Sequence, residues 1–180
     1  MRALSTFVAA GAVTILLAAA APAGDLASRL QGHYSHSFTN SLVTGERFRS
    51  TETMDILRTG PAAAYVDIHL EFFNGHECNI SGVADAAGPA LVLKAGDDDL
   101  SRCTLTIRPG AGKDRGRLVF EAPEEGCRYY CGARGSLDGS DVFTLAGRRA
   151  LTPAERRKIT AGDDYKAAVE AHRTGKPAPS

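Results

Sequence analysis

The chain has 180 residues, and its 21 lysines and arginines balance 21 acidic residues, so it carries no formal net charge. That balance argues against nucleic acid as a partner, since the arginines are scattered and the densest cationic run is only Arg156-Arg157-Lys158. The length is that of one ordinary domain with room for a real core.

In chain order, the first feature is a secretory signal. Met1-Arg2 is followed by an apolar stretch to about Ala20 and then by Ala21-Pro22-Ala23, the charged, apolar and small-residue parts that a signal peptidase reads. Cleavage after Ala23 leaves a mature chain that begins at Gly24. The apolar run is short and alanine-rich beside the ~20 residues of a membrane span, and no later segment is apolar enough to cross a bilayer. A periplasmic or secreted location is expected, and the high arginine, alanine and glycine content suggests a bacterial source.

From Gly32 to Phe143 short alternating runs are punctuated by glycine, proline, aspartate and asparagine, the rhythm of a β meander. The clearest run is Ala64–Phe73, in which Val66, Ile68, Leu70 and Phe72 share one face. Further candidates are Tyr34–Phe38, Phe48–Leu57, the Cys78–Ala84 stretch, Leu91–Lys94, Cys103–Ile107, Leu118–Glu121 and Ser136–Leu145. Eight sequential strands close most simply into an up-and-down antiparallel barrel or a flattened sandwich, which also removes exposed edges, and the barrel is the first choice. Asn74-Gly75 reads as a turn that takes positive φ angles. After Arg149 the pattern becomes helical, with Thr152 as N-cap, Pro153 at the first helical position and Glu155 at the third. A second helix is expected over Asp163–His172, and Gly175–Ser180 reads as a frayed tail. The domain plan is therefore a signal over 1–23, a disulfide-braced barrel over 24–150 and a helical extension over 151–180.

An even count of four cysteines in an exported chain points to two disulfides. Three pairings are open. Cys78 and Cys103 both fall on apolar strand faces, which favours a Cys78–Cys103 bridge and leaves Cys127–Cys131 to close a local turn. Zinc is the rival for Cys127-x-x-x-Cys131, but Cys78 and Cys103 lack paired neighbours, so neither a metal nor any other cofactor is expected.

Candidate chemistry is sparse. His69, Glu71 and His76 group histidine with carboxylate, as acid–base work requires, yet Asn74-Gly75-His76 reads more simply as a turn. His33 and His36 cannot join a metal site easily, because alternation puts them on opposite strand faces. Gly135-Ser136-Leu137-Asp138-Gly139 lacks the first glycine of a serine-hydrolase elbow, since Arg134 stands there. Gly110-Ala111-Gly112-Lys113 lacks the spacing of a phosphate loop. The most distinctive segment is Cys127-Arg128-Tyr129-Tyr130-Cys131-Gly132-Ala133-Arg134-Gly135-Ser136-Leu137, and its tyrosines and arginines favour a recognition surface.

Together with Asn74-Gly75-His76-Glu77-Cys78 and Cys103-Thr104-Leu105, that segment resembles an uncharacterised family of secreted bacterial domains, over roughly Gly32 to Arg149. The family is in turn similar to periplasmic β-barrel proteins that inhibit lysozyme. The resemblance implies a lipocalin-like meander with disulfides. The expected function is a non-enzymatic binding or inhibitory module for an envelope protein or a host lysozyme. Tyr129, Tyr130, Arg134, Ser136 and His76 are its candidate contact residues. Two rival readings are a barrel that holds a small apolar ligand and an envelope enzyme built on the histidine–carboxylate group.

Overall fold

The computed structural model describes residues 23–139 and 142–179. The expected export signal therefore lies outside the described residues except for Ala23.

Seven antiparallel strands form one sheet among the described residues: β1 (Gly32–Ser41), β2 (Arg47–Arg58), β3 (Ala63–Glu71), β4 (Glu77–Ala87), β5 (Ala90–Ala95), β6 (Cys103–Pro109) and β7 (Leu118–Glu121). Spatial order equals chain order, and the meander curls into a half-barrel. Alternation sends Tyr34, Met54, Ile56, Val66, Ile68 and Leu70 inward, all at most 1% exposed, and β4 to β7 continue the lining with residues such as Leu93, Leu105, Ile107 and Phe120. Register fixes two rims. The β1–β2, β3–β4 and β5–β6 connections and the segment after β7 share one, called here the lower rim.

The sheet does not close. Where an eighth strand is expected, over Ser136–Leu145, the described residues form none, because strand alternation would place Gly139 and Asp141 on the same inward face as Leu137 and Phe143. Gly139, at φ 74°, also leaves the extended region. The segment instead buries Leu137 and Phe143 and touches both sheet edges. Leu118 donates its N–H to the Phe143 carbonyl at 2.9 Å, and Arg149 and His33 exchange backbone bonds of 2.8 and 3.0 Å.

Helix α1 (Ala23–Leu30) packs against strands β2 to β5, which the alternation pattern did not suggest. Leu26, Ala27 and Leu30 lie on one helical face and are buried in the core, while Ser28 and Arg29 face out. The Tyr34 hydroxyl donates to the Leu30 carbonyl at 2.7 Å, and burial raises its pKa to about 12. The C-terminal helices match their sequence signals. α2 (Pro153–Ala161) starts in a capping box in which the Glu155 N–H bonds to Thr152, and Glu155 pairs with Arg149. α3 (Asp163–Arg173) lies on the convex side, burying Ala168 against Ala63, Tyr65 and Val83. No described helix is long and apolar enough to cross a membrane.

Two expectations need correction. The tail beyond Gly175 is not frayed over its described part: the Ala178 N–H donates to the Lys94 carbonyl at 2.9 Å, the Gly96 N–H donates to the Ala178 carbonyl, and Ala178 is 5% exposed. Pairing of β4 with β5 covers only Ala84–Ala87, and Ala178 packs beside Gly82 below that point. A Cβ on Gly82 would stand 2.5 Å from that of Ala178 and 2.4 Å from a Leu93 methyl, so only glycine leaves room for the tail. The disulfides are Cys78–Cys131 and Cys103–Cys127. Cys78 and Cys103 do face inward, but β5 separates their strands, and two strand spacings of ~4.8 Å exceed the ~7 Å over which two cysteines can bridge.

Proteolysis of the unreduced protein should therefore release linked peptides that join Cys78 to Cys131 and Cys103 to Cys127. Replacing either pair with alanine should cost about 3–4 kcal/mol in denaturant unfolding. The loss should be slightly larger for Cys78–Cys131, whose ends are 53 residues apart against 24.

Candidate functional site

The distinctive Cys127–Leu137 segment closes the lower rim. A 3-10 turn over Glu125–Tyr130 carries Cys127 to the start of β6, and Cys131 then pairs with Cys78 at the start of β4. The Gly132 N–H donates to the Glu77 carbonyl at 2.7 Å. Both glycines of Gly132-Ala133-Arg134-Gly135 answer to close approach. A Cβ at 132 would meet the His76 ring at 2.8 Å, and one at 135 would meet the Cys78 sulfur at 2.8 Å. Leu137 is buried in the core. Much of the motif is thus explained by closure of the rim, and its remaining side chains face outward.

Among the sequence-predicted contact residues, Tyr129 is 59% exposed, and Arg134 is exposed with no bonded partner among the described residues. Arg128 is likewise exposed, and its guanidinium has no bonded partner among the described residues. Tyr130 instead turns toward the core, edge-on to Tyr129 with ring centroids 5.4 Å apart. Its hydroxyl is buried without a partner among the described residues, and burial, reinforced by Tyr129, Asp98 and Asp97, pushes its pKa up to about 12. Ser136 is exposed and donates to the Asp138 carbonyl at 3.2 Å, a turn bond. His76 lies against Gly132, half-buried.

The rim holds more than those residues. Among the described residues the large hydrophobic side chains that stand exposed are Val43, Phe73, Leu100 and Tyr129, and each sits on a different lower-rim connection. Each is also held in place. Asn74, at φ 64°, accepts the Val43 N–H on its Oδ1 at 3.3 Å, which ties the β1–β2 turn to the turn carrying Phe73. Buried Asn40 braces the same turn from below, donating to the Phe72 carbonyl at 2.9 Å and the Ser50 hydroxyl at 3.0 Å. Asp98 accepts the N–H groups of Leu100 and Ser101 and the Ser101 hydroxyl, bonds that lower its pKa and fix the turn from which Leu100 projects. Tyr129 lies between the two disulfide-bonded cysteines of its turn. Sequence reasoning missed Val43, Phe73 and Leu100. The available signal was one large apolar residue in each turn between strands, as in Asp97-Asp98-Asp99-Leu100.

The histidines do not converge. His33 Nδ1 lies 2.7 Å from Asp55, and His36 Nδ1 lies 2.9 Å from the buried Glu52 on the opposite strand face. His69 bonds through Nδ1 to Asn79 at 2.7 Å and through Nε2 to Glu71 at 3.5 Å. Burial works against its imidazolium, but Asn79, Glu71 and Glu77 outweigh it and raise the pKa. No bond links His76 to His69 or Glu71, and no three histidine, cysteine or acidic side chains gather as a metal site among the described residues. The interior is packed with core side chains, and two clefts lie on the convex side. The paired disulfides suit an oxidising, extracytoplasmic setting.

The chain matches no protein-family model, no curated protein and no solved structure.

Because its hydroxyl is buried without a partner, Tyr130→Phe should leave stability unchanged or raise it by up to ~1–2 kcal/mol in urea unfolding. A loss of more than ~1 kcal/mol would mean that the hydroxyl makes a bond in solution.

Proposed function

We propose that the protein is an exported, non-enzymatic binding module that docks onto another protein through its lower rim. One observation carries the reading: Val43, Phe73, Leu100 and Tyr129 project from four connections at the same end of the half-barrel, each on a braced turn. Exposed apolar residues scattered singly need no explanation, but a set gathered at one end suits an interface core. The bracing lowers the entropy lost on docking, because the tips need not be ordered on contact. Arg128 and Arg134 supply cations beside the apolar tips, and tyrosine with arginine is the pairing most enriched at binding hot spots.

The periplasm or the cell exterior is the proposed location, and lysozyme the proposed partner. A glycosidase of that kind presents two carboxylates in a cleft. A guanidinium without an internal partner, as on Arg134, offers a charge-assisted bond to such a carboxylate, and exposed Tyr129 of the same segment supplies area.

The deciding experiment measures the rate of bacterial cell-wall lysis by purified lysozyme while the oxidised protein, Gly24 to Ser180, is titrated in. The expected result is stoichiometric inhibition that weakens about tenfold or more in Arg134→Ala and in Tyr129→Ala. Absence of inhibition at large molar excess would overturn lysozyme as the partner. Inhibition that both substitutions leave intact would overturn the rim as the docking surface.

A further inference from the structure

A groove of about 710 Å³ runs along the convex side, between the outer faces of β4, β5 and β6 on one hand and α3 with the C-terminal tail on the other. Its apolar lining comes from Val83, Val92, Ala95, Ala168, Pro177 and Ala178. The walls are fixed: Ala168 is buried against Tyr65 and Val83, and the tail is bonded to Lys94 and Gly96. The groove is therefore a built feature rather than a gap beside a loose helix.

Its charge is one-sided. Lys94 and Lys176 both line it, and neither ammonium group has a hydrogen-bonded or ion-paired partner among the described residues, with the Glu170 carboxylate on α3 within electrostatic reach of Lys176. Arg102 adds a third cation, shared with Asp99 at 3.1 Å. Among the lining residues the one carboxylate is Asp85, and His172 Nε2 lies 2.9 Å from it. A volume in the ordinary range for small ligands, an apolar lining and a few cations facing the same space are the marks of a site for a molecule with an apolar body and an anionic head. Water alone would solvate the lysines but leave the apolar lining uncovered.

We propose that this groove binds a small amphipathic carboxylate, its hydrocarbon chain against the Val83–Val92–Ala168 lining and its head held by Lys94 and Lys176. The site is separate from the lower rim and does not depend on docking there. It is also outside the half-barrel, whose interior is occupied by core side chains.

Calorimetric titration with decanoate, with decanol as the uncharged control, tests the assignment. Saturable binding of one decanoate is expected, with decanol weaker by about tenfold or more. Lys94→Gln combined with Lys176→Gln changes only exposed side chains and should lower decanoate affinity by a similar factor, whereas Tyr129→Ala should leave it unchanged. No saturable heat up to about 1 mM decanoate would overturn the proposal. So would equal binding of decanol, binding that survives loss of both lysines, or binding lost with Tyr129, which would place the ligand on the rim.

Discussion

Seven strands curl the sheet without closing it, and covering the apolar inner face of that open curl is the constraint on which the rest of the structure depends. A closed barrel would satisfy its own edges and lining. Here the chain supplies cover from elsewhere. Leu26, Ala27 and Leu30 of α1 join the core from before the sheet, and Leu137 and Phe143 join it from after. The post-β7 segment reaches both sheet edges, at β7 and at His33, and closes the gap with a few scattered bonds and isolated bridges rather than a continuous ladder.

That manner of closure shapes the lower rim. The segment after β7 first crosses the lower rim, where the disulfides fix it to the starts of β4 and β6. It then returns irregularly beside β7 to the other end, where Leu145 bonds to Gly116 and Arg149 to His33. Each bridge limits the unfolded chain more than it strengthens any contact in the folded one. The result is a rigid platform on which Tyr129 and Arg134 stand among the other tips. On the opposite, convex surface, α3 and the tail cover only part of the sheet, and the uncovered remainder is the groove.

Much of this architecture was legible in the residues. Alternation in Ala64–Phe73 and the Thr152-Pro153-x-Glu155 signal depend on local geometry; the helix signal holds, and the alternation holds from Val66 to Glu71, where β3 ends, while Tyr65 on the outer face is buried beneath α3. What failed was what depends on which strands become neighbours. Parity correctly put Cys78 and Cys103 on inward faces, but parity carries no information about the strand lying between them. Ser136–Leu145 has enough apolar residues to read as a strand, and only the position of Gly139 and Asp141 within the alternation argues otherwise. Helix α1 adjoins the apolar N-terminal run of the sequence, whose composition masks its short amphipathic pattern. The site was half legible: the unusual Cys127–Leu137 segment marked the rim, while Val43, Phe73 and Leu100 are isolated in sequence and become a set only when the meander brings alternate turns to one end.

The seating of Ala178 beside Gly82 bears on the order in which the protein is assembled. Chain synthesis delivers β4 and β5 well before the residues that fill the split between them. During that interval the sheet exists with an open seam, exposed to whatever strand or chaperone first finds it. The final closure of the seam is an intramolecular capture by a short segment rather than a continuation of the ladder.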